Sequence, residues 1–568
     1  MLVVGSLSAQ NSAPTPAQPQ TTTPAATTPA QTAPQPTHQG FRIAGIVVDA
    51  LSGQPVSLAS VAIAPLSHGE EREITTSVIT GTDGRFVFAG LSQGKYSLVG
   101  RAHGYSYQSF ERHDQYATAI AAGPDTDSEH LVFRLQPDAS IDGQVTDENN
   151  DPVQYAMVRL FSSRASNGLR KTIPMEQTQT DDQGHYHLAH LEPGAYYLSV
   201  SARPWYAQNV RAGNPYNQVF DAAQKEEKDR EDVALDVTYP LTFYPDATNW
   251  ADASPLQLAP GAKETANVVL RAIPSLHLRI HTGGSAQNPV IGHMIFPRIS
   301  QRIFGDYLDS VYNAPDSWVA PGVIEISGLA PGRYVVEIPP STGQEKGVSR
   351  AWYREIDLTG DADITASEGP SFAGVSGTIL FEDAAVPKGA SIQLLQPDTS
   401  ETYHSEISSK GEFDFPPDSI KAGRYLLVLS GGRGFYVKKL VATGAKLAGR
   451  AIEFGAGANV HLAVIASAGA ARVDGAAMHD DTPFAGAMIV LVPSDAANNA
   501  PLFRRDQSDS DGTFTLADVV PGQYTVIALA NGWDLDWSNP TVLQPYLKRG
   551  VSVQVPPDGK LQVKVPVQ

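Results

Sequence analysis

The chain has 568 residues, of which 42% are hydrophobic and 18% charged, and it contains no cysteine. This length exceeds what one hydrophobic core organises, so several domains are expected. The missing cysteines exclude disulfide frameworks, thiolate zinc sites and cysteine nucleophiles, and the net charge of −19 disfavours nucleic acid as a partner. The 49 glycines and 42 prolines predict an all-β chain of many short strands, because these residues break helices and separate strands.

The first 39 residues divide into two segments. Residues 1–9 are apolar or small, and Ser6-Leu7-Ser8 has the small-x-small pattern of a cleavage site, so we interpret them as the remnant of an export signal, with a frayed terminus as the alternative. Residues 10–39 consist almost only of Pro, Thr, Ala, Gln and Ser, which predicts a disordered linker. No later run approaches the ~18 apolar residues that a membrane-spanning helix needs.

The remainder of the chain repeats one strand pattern. An opening strand carries an apolar residue and a glycine on one face, in the segments Ile43-Ala-Gly45, Ile141-Asp-Gly143, Val375-Ser-Gly377 and Val473-Asp-Gly475. A tight hairpin turn follows, in which glycine adopts the positive φ that the turn requires; these glycines are Gly84, Gly184, Gly411 and Gly512. A Gly-x-Tyr strand comes next, ending at Tyr96, Tyr196, Tyr334, Tyr425 and Tyr524.

The spacing of these motifs predicts about five modules. The opening glycine and the glycine of the Gly-x-Tyr strand lie 49, 51, 46 and 47 positions apart in the four complete copies, as expected for one repeated unit. The third copy opens at Leu276-His-Leu-Arg-Ile280 without the glycine. We therefore predict a tandem array of antiparallel, Ig-like or transthyretin-like β-sandwiches, with boundaries at residues 40–137, 138–273 (insertion 207–237), 274–367, 368–467 and 468–568.

Alternating strands close most copies, at Leu131–Leu135, Val268–Arg271, Val460–Val464 and Leu561–Val565. The next opening strand begins within about ten residues of most of them, a usual connection length. Because linker length sets the freedom between domains, these short connections predict a semi-rigid rod.

The repeated string Ile-x-Gly-x-Val, Thr-Asp-x-Gly-x-Phe and Pro-Gly-x-Tyr is similar to the carboxypeptidase regulatory-like domain. That domain is a transthyretin-like, seven-stranded sandwich, also grouped with carbohydrate-binding-like folds. The resemblance extends from Phe41 to Gln568 and is strongest in the first, second and fifth copies. It implies the fold and a non-catalytic accessory role, and it supplies no ligand. The arrangement also resembles multi-module envelope proteins of environmental bacteria.

Two histidine patterns are candidates for metal binding. His68-Gly-Glu-Glu71 matches the His-x-x-Glu pair of metallocarboxypeptidases, but no motif places a third ligand, so we interpret it as a solvated loop. His185 and His187 lie on one face of a predicted strand, with His190 near its end. Residues two apart on a strand are about 7 Å apart, within bridging distance of a transition metal; an ordinary exposed pair is the alternative.

The turn of the fifth copy is rich in acidic residues. The segment Asp506-Gln-Ser-Asp509-Ser-Asp511-Gly512 is similar to a calcium loop, in which oxygen ligands alternate around a glycine turn. It departs from the EF-hand pattern at the first ligand position and at position twelve, which is Asp518. Hairpin chemistry is the better explanation, and Asp509 and Asp511 remain weak candidates for calcium ligands. We predict no cofactor.

Aromatic side chains give the strongest binding signal, because sugars stack their C–H faces on Trp and Tyr. Four of them follow the Gly-x-Tyr strand at similar offsets, which is typical of packing residues: Tyr105, Trp205, Phe435 and Trp533. Those outside the repeat are candidate ligand contacts, with burial between modules as the alternative: Tyr206, Trp250, Trp318, Trp352, Tyr353 and Trp537.

No nucleophile motif, such as Gly-x-Ser-x-Gly, and no phosphate-binding glycine loop occurs in the sequence, so we predict a protein without enzymatic activity. The leading hypothesis is an exported binding or scaffold protein of the periplasm, outer-membrane surface or extracellular space, with a polysaccharide as its ligand. The second is a purely structural module that binds another envelope protein. The third is an enzyme of unrecognised type, which predicts a deep cleft with convergent titratable residues.

Overall fold

The computed structural model describes residues 40–66, 75–166, 168–207, 233–281, 297–305, 307–311, 316–320, 323–338, 352–366, 372–397, 401–416, 419–432 and 434–568. The predicted export signal, the predicted linker, the His68–Glu71 pair and most of the predicted insertion lie outside these residues. The description below concerns the unit Phe41–Gln568.

Module 1 comprises eight strands in two sheets, with the orders β4-β1-β8 and β3-β2-β5-β6; β7 also pairs with β5. Alternate residues point inwards from both sheets and share one hydrophobic cluster that includes Ile43, Phe86 and Phe133. The strands are β1 (Phe41–Asp49), β2 (Ser60–Pro65), β3 (Thr76–Ile79), β4 (Arg85–Leu91), β5 (Gly94–Ala102), β6 (Tyr105–Ser109), β7 (Ile120–Ala122) and β8 (Leu131–Leu135).

Module 2 repeats this plan with the orders β12-β9-β17 and β11-β10-β13-β15, while β18 pairs with β9 and β16 with β13. A separate two-stranded sheet joins β14 to β19. The strands are β9 (Ala139–Thr146), β10 (Met157–Ser166), β11 (Leu169–Gln179), β12 (His185–Leu191), β13 (Gly194–Ser201), β14 (Val237–Thr238), β15 (Thr242–Phe243), β16 (Leu256–Leu258), β17 (Lys263–Thr265), β18 (Val268–Val269) and β19 (Ile273–Pro274); short 3-10 helices span Val233–Leu235 and Trp250–Asp252.

Modules 3 and 4 are also two-sheet sandwiches, each with its own hydrophobic cluster. Their sheet orders are β23-β24-β20-β27 with β22-β21-β25-β26, and β31-β28-β36-β33 with β30-β29-β32-β35-β34. Module 3 contains β20 (Leu276–His281), β21 (Arg298–Ile303), β22 (Tyr307–Ser310), β23 (Asp316–Ala320), β24 (Val323–Leu329), β25 (Gly332–Ile338), β26 (Trp352–Leu358) and β27 (Ala362–Thr365). Module 4 contains β28 (Gly374–Phe381), β29 (Ser391–Leu395), β30 (Thr402–Glu406), β31 (Glu412–Asp414), β32 (Gly423–Ser430), β33 (Phe435–Thr443), β34 (Lys446–Ala448), β35 (Ala451–Phe454) and β36 (Asn459–Ala468).

Module 5 has the orders β38-β37-β41 and β40-β39-β42-β43, with β44 paired to β37. One α-helix packs outside its second sheet, where Leu543 joins a further apolar cluster. The elements are β37 (Ala471–His479), β38 (Thr482–Pro483), β39 (Met488–Pro493), a 3-10 helix (Ala500–Leu502), β40 (Arg504–Gln507), β41 (Thr513–Val519), β42 (Gly522–Leu529), α1 (Pro540–Leu547), β43 (Val551–Val555) and β44 (Lys560–Pro566).

The all-β, multi-domain prediction is confirmed, and one detail of it is wrong. In every module the opening strand pairs antiparallel with one neighbour but parallel with the closing strand, as β1 does with β8 and β37 with β44. The same parallel pairing occurs in the three middle modules. The sheets are mixed because the closing strand returns from the opposite sheet by a crossover, which allows parallel pairing.

The predicted rod is also wrong. Module 5 contacts module 1, where Lys95 is hydrogen-bonded to Thr513, and module 2, where the backbone N–H of Arg170 donates to Asp536 at 2.8 Å. Short connections restrict how far neighbouring modules move, but they do not fix the angle between them. The chain therefore folds back on itself, and its first and last sandwiches lie in contact.

Each module is fixed internally by the tyrosine of its Gly-x-Tyr strand. The buried Tyr hydroxyl donates to the backbone carbonyl four residues earlier, at 2.7–3.0 Å, in all five modules. This contact is a tyrosine corner of the kind found in Ig-like sandwiches. The recurring tyrosine is thus structural, in modules 3 and 4 as in the others.

Candidate functional site

The terminal joint is the contact surface between module 1 and module 5. Module 1 contributes Lys95 and the segment 110–122, which contains the loop after β6 and strand β7. Module 5 contributes residues 505–513, at the end of β40 and in the following turn, together with Trp533 and Trp537. Side chains from both modules are buried in this surface, so it is a packed interface between the two ends of the folded chain.

The acidic turn of module 5 binds the free edge of β7 and the residue before it, Ala119. Asp509 accepts a hydrogen bond from the backbone N–H of Ala119 at 3.0 Å, and the N–H of Ser510 donates to the Ala119 carbonyl at 2.9 Å. The hydroxyl of Ser510 accepts from the N–H of Ala121 at 2.9 Å. An unpaired strand edge is a template for further pairing, and here the turn supplies the missing partners.

Lys95 neutralises this acidic turn. Its ammonium group pairs with Asp509, lies 3.8 Å from Asp511 and donates to the hydroxyl of Thr513 at 2.6 Å. Burial raises the pKa of Asp509, and the charge of Lys95 opposes that rise. The loop that is similar to a calcium site therefore holds a lysine side chain from another module.

Arg505 is the most buried charged residue of the terminal joint, with a side chain only 2% exposed. Its guanidinium group lies 4.7 Å from the ring centre of Tyr116, 4.9 Å from that of Trp533 and 5.5 Å from that of Trp537, distances typical of cation–π contacts. Asp114 lies 3.5 Å away and balances its charge. Aromatic rings from both modules thus surround one arginine.

Gln507 is a buried polar residue of the terminal joint, only 1% exposed. Its amide group makes the joint specific. The amide nitrogen donates to the carbonyl of Glu111 at 2.7 Å and to the hydroxyl of Thr118 at 2.8 Å. The amide oxygen lies 3.2 Å from Nδ1 of His113, whose ring stacks on Trp533 at 4.2 Å. Buried polar groups with matched partners specify one arrangement, because any other leaves them unsatisfied.

A groove of about 460 Å³ runs beside the terminal joint. Its lining includes Arg112, Arg134, Gln136, Asn531 and Trp533. The amide oxygen of Gln136 and the indole nitrogen of Trp537 are buried without a hydrogen-bond partner. Unsatisfied buried polar atoms therefore occur at the terminal joint, as one does in the core of module 3, at the indole nitrogen of Trp352.

The aromatic candidates occupy different environments. Tyr206 is half-buried, with its hydroxyl 3.2 Å from Glu148; Trp250 is 38% exposed beside Phe304 of module 3. Trp352 is 6% exposed and belongs to the core of module 3.

Tyr353 contacts Phe372 and the ammonium group of Lys421 at the boundary with module 4. The side chain of Trp318 lies outside the described residues. Of the six, only Trp537 belongs to the terminal joint.

The packing interpretation is wrong for one of the four repeated aromatics. Trp205 is 88% exposed, with the ring of Tyr206 5.7 Å away at nearly a right angle. Tyr105, Phe435 and Trp533 are all partly buried. Trp205 follows β13 at the edge of module 2 and leaves an indole ring in solvent.

The histidines on β12 each have an acidic neighbour. His187 Nδ1 lies 2.6 Å from Asp142, His190 Nδ1 lies 2.7 Å from Asp138, and His185 Nδ1 lies 3.9 Å from Asp181. His185 and His187 share the exposed face, as the alternation predicted. Within the described part of the chain, no group of three or more His, Asp or Glu side chains is placed to hold a metal ion, and no helix is long and apolar enough to span a membrane.

Sequence reasoning missed the other members of the terminal joint. Arg505 directly precedes the acidic segment that is similar to a calcium loop, and Gln507 lies within it, while Tyr116 and Thr118 belong to a loop with no motif. The sequence marks these residues only by a lack of repetition, because they do not recur in the other modules. Nothing local in the sequence pairs a residue near position 115 with one near position 505.

Comparison with solved structures gives distant likenesses. The minor pilin GBS52 of Streptococcus agalactiae is 12% identical, with 41% of this chain and 97% of that chain aligned and a TM-score of 0.21. The Bacillus anthracis TIE protein is 11% identical over 90% of this chain and 68% of its own, with a TM-score of 0.15. The shaft pilin SpaA of Lactobacillus rhamnosus GG is 7% identical over 42% and 97%, with a TM-score of 0.19. TM-scores this low do not support transfer of a function.

No curated protein matches the sequence. The family model of the carboxypeptidase regulatory-like domain matches residues 42–130 and 140–223. These segments lie in modules 1 and 2, which contain the opening-strand, hairpin and Gly-x-Tyr motifs. Modules 1 and 2 therefore each contain a carboxypeptidase regulatory-like domain, as those motifs predicted.

Proposed function

We propose that this chain is a non-catalytic scaffold of the cell envelope or extracellular space, made of five sandwiches divided at the predicted boundaries. The observation that supports it is the terminal joint, in which Arg505, Gln507 and Asp509 bind module 1. Such a joint holds the outer faces of the modules in fixed relative positions. A scaffold needs this property, since preorganised surfaces bind with a smaller entropic cost.

The titratable groups also favour a non-catalytic role. Charged residues at the module boundaries are paired with one another, as Arg159 is with Asp309 and Lys421 with Glu337 at 2.7 Å. An enzyme requires groups that converge on a reacting atom, whereas these groups neutralise each other across the boundaries. Their arrangement is that of structural ion pairs.

A distance measurement tests the closed arrangement. Because the chain has no cysteine, spin labels attach only to introduced ones, at Val87→Cys on β4 and Lys560→Cys on β44. We expect one narrow label–label distance distribution, which broadens when Arg505→Ala is added. A broad distribution in the chain that keeps Arg505 contradicts the proposal.

A carbohydrate ligand is the second, finer proposal, and the exposed indole of Trp205 favours it. Exposed Trp rings stack on the C–H faces of sugars, and the adjacent Tyr206 adds a hydroxyl. Trp250 is a further candidate because it remains partly exposed, whereas Trp352 is enclosed in a core. A glycan array with the unmodified chain and Trp205→Ala tests this: binding that Trp205→Ala removes supports it, and silence across plant, microbial and cell-wall glycans favours a protein partner.

A further inference from the structure

The turn of module 5 that binds module 1 has a close counterpart in module 2. In module 5 the N–H of Gly486 donates to the carbonyl of Ser508 at 2.9 Å, and in module 2 the N–H of Tyr155 donates to the carbonyl of Thr180 at 3.1 Å. The hydroxyls of Ser508 and Thr180 each accept, at 2.8 Å, from the N–H of the residue that follows Gly486 or Tyr155. Both hairpin turns therefore begin from the same backbone frame.

Module 5 uses three groups of its turn to hold a strand edge. The carboxylate of Asp509 accepts the N–H of Ala119, the N–H of Ser510 donates to the Ala119 carbonyl, and the Ser510 hydroxyl accepts the N–H of Ala121. Ala119 and Ala121 are two positions apart, which is the spacing at which one strand edge repeats its hydrogen-bonding groups. The turn thus recognises backbone that is already extended.

The turn of module 2 presents the same three groups on an exposed surface. Asp181 is equivalent to Asp509; one of its oxygens accepts two N–H groups of its own turn, at 2.9 and 2.8 Å, and a carboxylate has further acceptor positions on the second oxygen. Asp182 is equivalent to Ser510 and supplies an N–H donor and a carboxylate acceptor, neither of which is hydrogen-bonded to another described residue. Module 2 can therefore form the three bonds that module 5 forms.

Tyr155 adds a strained and exposed side chain to this surface. Its φ is +56° and it is 66% exposed, whereas Gly486 occupies the equivalent position in module 5. Packing within module 2 does not offset the strain of an exposed ring, and strain that persists at a surface indicates a role outside the module. Module 1 has Leu58 at this position but Gly81 in place of the aspartate, so it lacks the first acceptor.

We infer that Asp181, Asp182 and Tyr155 of module 2 bind an exposed strand edge of another protein that carries a basic residue beside it. The two carboxylates require a positive counterpart, the role that Lys95 has beside Asp509 in the terminal joint. A second copy of this chain is disfavoured, because its edge of β7 is already bound within the closed chain. The inference rests on the proposed closed arrangement, since the terminal joint supplies the recognition chemistry.

A peptide titration tests the site. The probe is a fluorescein-labelled peptide with the sequence of residues 118–123 preceded by one lysine, whose anisotropy rises when it binds a chain of 568 residues. Module 5 does not compete for the peptide, because β7 of the same chain is present at a high effective concentration. We expect saturable binding that weakens by about tenfold when the alanines corresponding to Ala119 and Ala121 are N-methylated, since this removes both N–H donors.

Variants of the chain locate the binding surface. Asp181→Asn keeps the oxygen that accepts within the turn and replaces the second oxygen with an amide nitrogen, which cannot accept an N–H. We expect Asp181→Asn, Asp182→Ala and Tyr155→Gly each to weaken peptide binding by about threefold to tenfold, with unchanged circular dichroism. Asp83→Asn, in the equivalent turn of module 1, is the matched control and should bind the peptide as the unmodified chain does.

The two proposals fail differently. If the label pair at positions 87 and 560 gives a narrow distance but the peptide does not bind, or binds equally when N-methylated, the module 2 site is wrong and the closed scaffold stands. A broad distance overturns both, because the recognition chemistry is taken from the terminal joint. If the unmodified chain alone has twice the monomer mass by light scattering and Asp181→Asn has the monomer mass, the surface binds a second copy and the inference is contradicted.

Discussion

Lys95 in the first module forms an ion pair with Asp509 in the last, 414 positions further along the chain. Both side chains are mostly buried, so the pair is less screened by solvent than a surface pair. The turn that contains Asp509 also satisfies the edge of β7 through backbone hydrogen bonds. One hairpin turn therefore provides both the charge and the strand-edge contacts that close the chain.

Arg505→Ala should open the terminal joint. The substitution leaves Asp114 without its counter-charge and removes the group enclosed by three aromatic rings, which we expect to destabilise the closed form by about 2 to 4 kcal/mol. The label-distance distribution between modules 1 and 5 measures the effect. Arg504→Ala is the control on the same strand, because that guanidinium group binds carbonyls within module 5; opening of both variants to the same degree contradicts the prediction.

The sequence predicted the parts of the fold that are local. The turn glycines were expected at positive φ, and Gly84, Gly184, Gly411 and Gly512 have φ between +68° and +79°. The opening strands begin where the Ile-x-Gly pattern placed them. These features are predictable because each depends on a few residues that are adjacent in the chain and repeated in several modules.

The closed arrangement was not predictable in the same way. Its contacts join residues that are nearly 400 positions apart, such as His113 and Gln507, and no local pattern encodes which modules meet. The short connections constrain the distance between neighbouring modules and not their relative direction. The acidic turn is recognisable from its composition, whereas its partner Lys95 lies in an ordinary Gly-x-Tyr strand that gives no sign of the contact.

Removal of a single tyrosine hydroxyl should weaken one module. Tyr425→Phe and Tyr334→Phe each delete the hydrogen bond to the carbonyl four residues earlier, at a cost of about 1 kcal/mol. Hydrogen exchange, resolved by mass spectrometry, should show faster exchange in the affected module alone. Tyr107→Phe, at an exposed side chain, should change nothing; equal effects at all three positions contradict a tyrosine-corner role.

Gly475→Ala should destabilise module 5. A Cβ at this position would lie 2.4 Å from the carbonyl oxygen of Val563 and 2.5 Å from the ring of Phe514, so the opening and closing strands must separate. Overpacking of this kind costs about 1 to 3 kcal/mol, measured as a lower urea midpoint for module 5. Gly522→Ala is the control, because its Cβ meets only Tyr524 at 3.5 Å; an unchanged midpoint for Gly475→Ala refutes the steric explanation.

His277 should make the boundary between modules 2 and 3 sensitive to alkaline pH. Its Nε2 lies 2.7 Å from Asp236 and its Nδ1 3.3 Å from Glu325, so both ring nitrogens meet carboxylates and the imidazolium form is favoured. Arg279 also binds Glu325, and Asp361 accepts the backbone N–H of His277. Burial lowers the pKa of His277, but the two carboxylates outweigh it and raise the pKa above 6.5.

The direction of this pKa shift determines how the stability of the boundary changes with pH. A raised histidine pKa gives stability that is fully present below pH 6.5 and is lost as pH rises through the folded-state pKa. Hydrogen exchange of β14 and β20 should therefore accelerate on passing from pH 6 to pH 9. His277→Gln should remove this pH dependence, and its persistence in the variant would assign it to another group.

Asp506 should make module 5 less stable as pH rises, which is the same direction as for His277. Burial raises the pKa of its carboxyl to about 6, although hydrogen bonds from the backbone N–H groups of Thr515 and Gln507 oppose the rise and Asp509 adds to it. Because the folded state then holds a proton more tightly than the unfolded state, the stability that Asp506 contributes is fully present below pH 3.8, the ordinary pKa of aspartate, and is lost as pH rises through 6. Asp506→Asn keeps an oxygen that can accept from Thr515 N–H, 2.7 Å from the present carboxylate, and carries no charge. We expect the variant to have a higher melting temperature than the unmodified chain at pH 7.5 and a similar one at about pH 3.5, which lies below the unfolded-state pKa. Asp480→Asn, at a side chain 95% exposed, should follow the unmodified chain at both pH values. A gain that is equal at the two pH values would show that the charge of Asp506 is not its cause.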